Sequence, residues 1–131
     1  MRRLRRLADT SGATALEFAL IAPPLIMLLV GSFQLAWALH CAASVRWSLE
    51  TNARGLMLNP SESAATLRSA MLTSLSGKAT ASDLTVTIGN DNSNPASNLL
   101  VATSVYRTTL SIPFVTATPL TFTSITKVPS P

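Results

Sequence analysis

From Phe18 to Leu39 the chain runs for twenty-two residues without a formal charge. At ~1.5 Å of rise per residue a helix of this length reaches ~33 Å, enough to cross a hydrocarbon core of ~30 Å once. With the first third this apolar, any water-exposed domain must form its core from the remaining ninety or so of the 131 residues. Composition agrees. Hydrophobic residues make up 47% and charged residues only 12%, about half the usual charged share, and mean hydropathy is +0.36.

Charge sets the orientation of the span. Arg2, Arg3, Arg5 and Arg6 precede it, offset only by Asp9, and a basic flank resists translocation, so the N-terminus is expected inside and the chain after about residue 40 outside. These arginines account for most of the net +4, and the thin basic charge left over cannot form the stripe that phosphate-backbone binding needs. Nucleic acid is therefore not an expected partner. The single cysteine, Cys41, excludes an intrachain disulfide, so the exported part must hold together by packing. Trp37 lies near the outer end of the span, where an indole suits the headgroup boundary or serves as ordinary packing. Pro23 and Pro24 each remove a helix donor, which predicts a bend between about Ala19 and Pro24.

Glu17 does not fit a plain anchor. It stands immediately before apolar sequence, where an ionisable group costs a few kcal/mol unless it is paired or reaches the headgroups. The run Gly12-Ala13-Thr14-Ala15-Leu16-Glu17-Phe18, behind a short arginine-rich leader, resembles the class III signal of type IV pilins and pseudopilins. Extended through Ala19-Leu20-Ile21-Ala22-Pro23-Pro24-Leu25, it resembles the opening of TadE-like proteins of the tight-adherence (Tad/Flp) pilus system over residues 12 to 35. That resemblance implies cleavage between Gly12 and Ala13 by a membrane aspartyl prepilin peptidase. It also implies recognition and assembly roles for Glu17 and Phe18.

The spacing has its own chemistry. A cut after Gly12 frees an amine on Ala13, with an ordinary pKa of about 7.7 to 8.0, one helical turn before Glu17 and about 6 Å from it. The two charges can pair within one chain or between neighbouring chains; the resemblance implies the second. Gly12, without a side chain, leaves the backbone open to a peptidase.

Other N-terminal readings compete. Ala36-Trp37-Ala38 matches the small-x-small signal for the general signal peptidase, whose cut after Ala38 would release a secreted protein, although the apolar run exceeds a typical signal core of about 7 to 15 residues. His40 before Cys41 is wrong for a lipoprotein, which leaves Cys41 as a small apolar side chain near the membrane surface. An unprocessed single-span binding protein is the remaining alternative.

Past the membrane the helix is expected to continue through Ala42, Val45, Leu49, Ala53 and Leu56, with Arg46, Glu50 and Arg54 on a solvated face. Gly55 weakens its end. Asn59-Pro60-Ser61-Glu62 predicts a second helix capped by Asn59, with Glu62 reaching back, running through Ala64, Leu67, Met71 and Leu75 to a stop at Gly77. Leu84, Val86 and Ile88 alternate with threonines as a strand should. Gly89 to Asn98 predicts a turn, Leu99 to Ile112 the partner strand closed by Pro113, and Leu120 to Val128 a third strand between Pro119 and Pro129. The expected fold is α+β and pilin-like: a long N-terminal helix, a short second helix and a small three-stranded antiparallel sheet. The divisions are a basic cytoplasmic leader at 1–12, a transmembrane helix at 13–40 and an exported domain at 41–131.

One histidine, one cysteine and six carboxylates offer no metal set, and His40 beside Cys41 points about 100° away from it on a helix. No phosphate loop, carboxylate pair or nucleophile elbow is present. The chain is thus expected to have no catalytic residues and no cofactor, and the resemblance implies that it is a substrate of the peptidase and a pseudopilin or minor-pilin-like assembly component. The resemblance implies a bacterial inner-membrane, single-pass location. The implied partners are the prepilin peptidase, other pilins or pseudopilins, the assembly platform with its ATPase, and the lipid bilayer.

Overall fold

The computed structural model describes residues 10–91 and 98–129, so most of the basic leader and the centre of the 89–98 turn lie outside the described residues. Helix α1, Thr10–Asn52, runs unbroken through Pro23 and Pro24 for 43 residues, roughly 65 Å at 1.5 Å per residue. Prolines have no N–H, so the carbonyls of Ala19 and Leu20 receive no i+4 bond from them. Among the described residues, this is the one helix long and apolar enough to cross a membrane. Then follow α2 (Gly55–Leu58), α3 (Ala64–Leu75), β1 (Leu84–Asn90), β2 (Leu99–Leu110) and β3 (Thr118–Pro129). The strands form an antiparallel meander in the order β1-β2-β3, registered by Leu84 opposite Tyr106 and Tyr106 opposite Phe122. The α+β arrangement expected from the sequence is thereby established.

The two halves of α1 differ because only one of them has something to pack on. From Ala38 onward a stripe at spacings of three and four, Cys41, Val45 and Leu49, sinks into a core continued by Ala53 and Leu56. Opposite it lie Leu67, Met71 and Leu75 of α3, Leu84 and Val86 of β1, Leu100, Ala102 and Tyr106 of β2, and Val128 of β3. Cys41, expected near the membrane surface, is a core residue at 1% exposure. Burial raises the Tyr106 hydroxyl pKa, partly opposed by its hydrogen bond with Thr108 and reinforced by the neighbouring Cys41 thiol.

Element ends depart from expectation where side chains were already engaged. The first helix stops at Asn52, and the apolar stripe reaches Leu56 through the single turn of α2. Asn59 closes α2, its N–H donating to the Gly55 carbonyl, while its side-chain oxygen accepts the Ser61 hydroxyl at 2.8 Å. It is thus unavailable as an N-cap. Ser63 caps α3 instead, its Oγ accepting the Thr66 N–H at 3.1 Å. Glu62 makes no capping box; its carboxylate lies beside Gly55. At the other end Ser76 (φ 49°) and Gly77 (φ 85°) turn the chain left-handed, as the predicted stop requires. β2 ends at Leu110, short of Ile112, and β3 begins before Pro119, which an edge strand tolerates.

Polar clasps fix the layers. The Ser48 hydroxyl donates to the Met71 carbonyl at 3.3 Å, and the Asn52 amide donates to the Ser48 carbonyl at 2.8 Å and to the Ser74 hydroxyl at 3.2 Å, tying α1 to α3. Asp83, before β1, accepts from the Thr80 hydroxyl at 2.6 Å and from Ser82, bonds that hold its carboxyl below the usual range. Arg68 of α3 donates Nε to the Leu84 carbonyl at 2.8 Å and Nη2 to the Ala81 carbonyl, spanning the α3–β1 connection. Arg68→Met keeps the aliphatic stem and removes both donors. It should cost about 1.5–3 kcal/mol, seen as a lower urea midpoint at unchanged slope for the detergent-solubilised protein.

Candidate functional site: the apolar helix and the hairpin that meets it

Gly12, Ala13, Glu17 and Phe18 stand on the first turns of α1, away from the rest of the described chain. A Cβ placed on Gly12 would find nothing within 4 Å, so no packing contact in this chain demands the glycine. Ala13 and Glu17 are separated by one helical turn and share a side of the helix. Glu17 has no ion-pair partner among the described residues. Above it, Phe18, Leu20, Leu25, Leu28 and Phe33 expose between 60% and 72% of their surface and point in all directions around the axis. A helix apolar on every side must be covered by lipid or by other chains.

The α+β domain does not stop at the end of this segment. The β2–β3 connection descends along α1 and is fastened at Gln34, whose Nε2 donates to the Ser111 carbonyl at 2.6 Å while its Oε1 accepts the Ser111 N–H at 2.8 Å. One turn lower, Ile112 fills the notch at Gly31, where a Cβ would come within 3.1 Å of Ile112 Cδ1. Between the two elements Phe33, Gln34, Trp37 and Ala38 face Thr108 to Ser111 across a shallow cleft. The β2–β3 connection thus packs on α1 below residue 40. Ser32, the other polar side chain at this level, donates its hydroxyl to the Leu28 carbonyl at 2.7 Å.

Below the clasp, Ile112 to Val115 form a tight turn closed by the Val115 N–H on the Ile112 carbonyl at 3.1 Å. Pro113 supplies the fixed φ of the second position, and Phe114 takes the third with φ +64°, a place where glycine is usual. A bulky residue there costs of order 1–3 kcal/mol in backbone strain. Phe114 is also 94% exposed. In the sequence Pro113 reads only as a strand terminator, and this turn is not evident. The available signal was Ile-Pro-Phe-Val, an apolar run where a hairpin tip ordinarily carries Gly, Asn or Asp.

On another face of α1 the Trp37 and His40 rings lie 5.8 Å apart, and His40, Ser44 and Trp47 border a second cleft with Ser74 and Lys78. Arg46 and Glu50 pair at 2.9 Å on the solvated face expected of the charge series. Among the described residues no group of three His, Cys, Asp or Glu side chains is placed to hold a metal.

Residues 12–49 match the sequence model of the TadE-like protein family, in keeping with the likeness seen at residues 12 to 35. The matched segment is the apolar half of α1 together with its first turns in the core; the sheet lies outside it. No curated protein and no solved structure matches the chain.

Proposed function

From the TadE-like helix at residues 12–49, we propose that the protein is a pseudopilin or minor-pilin-like component of tight-adherence pilus biogenesis, acting in assembly, adhesion or secretion rather than as an enzyme. α1 holds it in the inner membrane with the leader cytoplasmic and the α+β domain periplasmic. A prepilin peptidase removes residues 1–12, and the new Ala13 amine meets Glu17 of a neighbouring subunit as the apolar helices bundle. Phe18 and the residues above it supply the helix-to-helix contacts. Partners are the peptidase, other pilins or pseudopilins and the assembly platform. The observation that carries this reading is the family match on a helix whose lower half its own chain leaves bare. The bare Gly12 supports it too, because the space beside it is free for a partner.

The test is the N-terminal residue and intact mass from cells with and without their prepilin peptidase. The expected product starts at Ala13 and is lighter than the full chain by about 1.4 kDa, the mass of the leader. Gly12→Leu should retain the leader in either strain. A start at Leu39 would make this a secreted protein, and an intact Met1 in both strains would leave an unprocessed anchor; either result overturns the proposal.

A further inference from the structure

We infer that the Ile112–Val115 turn is a second membrane contact, with Phe114 and Val115 seated at the headgroup–acyl boundary of the outer leaflet beside α1. The inference rests on α1 crossing the bilayer; it needs neither cleavage at Gly12 nor entry into a pilus.

Depth follows from helix geometry. With Glu17 as the last ionisable residue on the inner side, a ~30 Å hydrocarbon core takes up about twenty residues and ends near Trp37. Gly31 and Gln34 then lie about 5–9 Å inside its outer edge, and an ordinary helix tilt takes them deeper. The turn is clamped at that level by the Gln34–Ser111 bond pair and the Ile112–Gly31 contact. It cannot ride above the membrane unless α1 rises with it. The depth also equals that at which amphipathic elements settle, about 5–10 Å into the boundary.

Chemistry agrees with depth. From Thr108 to Thr126 the hairpin carries no charged residue, while Arg107, Lys127 and Asp91 mark its upper part. Part of the polar surface that descends is partnered within the chain: the Ser111 N–H and carbonyl by Gln34, and the Thr118 hydroxyl by the Thr116 carbonyl. Such pairing lowers the cost of entering a low-dielectric boundary, and the remaining hydroxyls are within reach of the headgroups there. The turn holds a nearly naked phenylalanine in a left-handed conformation that glycine would occupy without strain. In water that choice has two costs and no return. Against lipid the same geometry projects the ring into acyl chains.

The experiment uses the full-length chain in vesicles of phosphatidylethanolamine and phosphatidylglycerol. A nitroxide is attached at Phe114→Cys, and at Leu25→Cys and Thr85→Cys as references within the span and on the sheet; Cys41, 1% exposed, is shielded from the label. Relaxation by oxygen, which concentrates in lipid, is compared with relaxation by a water-soluble nickel chelate. The expected oxygen-to-nickel ratio at 114 is several-fold above that at 85 and approaches that at 25. A ratio at 114 equal to that at 85, with 25 in lipid, overturns the inference alone; a watery 25 overturns the span and the inference with it. Spin–spin broadening at 114 without oxygen access would assign the turn to a second copy and also overturn it. Should labelling disturb the turn, brominated lipids provide a label-free measurement: Phe114→Trp should be quenched more than the parent protein, and equal quenching of the two overturns the inference.

Discussion

Leu49→Ala should lower the unfolding free energy of the α+β domain by about 3–5 kcal/mol, the range for a fully buried leucine whose surroundings cannot collapse. Leu49 is 0% exposed in the middle of the α1 stripe, between α3 and the sheet, and it is among the largest fully buried side chains. Its loss leaves a cavity walled by elements that Arg68, Ser48 and Asn52 hold in place. Domains of this size have total stabilities of roughly 5–15 kcal/mol, so the variant sits near or below the threshold for folding. Hydrogen exchange in detergent micelles separates the two halves of α1: amides of β2 and α3 should lose most of their protection, while those of Phe18 to Val30 keep theirs. Leu25→Ala provides the contrast. Leu25 is 60% exposed to nothing in its own chain, so the same truncation should change domain stability by less than about 0.5 kcal/mol. Equal losses at both positions would mean that the span and the domain unfold as one unit.

What the sequence made legible was whatever follows from periodicity and charge. The uninterrupted run from Phe18, the three-and-four spacing through Val45, Leu49 and Leu56, and the alternation of Leu84, Val86 and Ile88 each name a surface to be buried, and each was found buried or bare accordingly. Capping was less legible because it depends on competition. Asn59 and Ser63 are both good caps, and only the Ser61–Asn59 hydrogen bond and the closing of α2 decide between them. The hairpin clasp was not legible at all, since Gln34 and Ser111 are seventy-seven residues apart and neither belongs to a pattern. In sequence Gly31 is one more small residue in an apolar helix, and only the fold puts Ile112 in its notch. For the candidate site, the chemistry of Gly12, Ala13 and Glu17 lies in their order along the chain, so structure adds only that they are uncovered. Phe114 required the backbone: its meaning comes from a positive φ that no residue count reveals.

Glu17→Gln should leave membrane insertion and cleavage intact and cut association with other pilus components by about two to three and a half orders of magnitude. The replacement keeps the length and hydrogen-bonding shape of the side chain and removes one charge, so a steric role for Glu17 would survive it. Insertion should be no worse, because an uncharged residue beside the hydrocarbon is cheaper than an ionised one. Assembly is different. Removing one partner of a desolvated pair strands the other, at a cost of about 3–5 kcal/mol, and tenfold in association corresponds to about 1.4 kcal/mol. The readout is the amount recovered in sheared pili, or with the detergent-extracted assembly complex, relative to the amount in the inner membrane. The same pair can be broken from its other side. The freed amine of Ala13, unpaired, loses its proton at about pH 7.7–8.0, and pairing raises its pKa, so association of the wild-type protein should be full below that range and weaken progressively as pH rises above it, whereas the residual association of Glu17→Gln should not respond. A parallel pH response in both proteins would place the sensitivity elsewhere, and full association of Glu17→Gln at neutral pH would end the case for a charge pair between neighbouring helices.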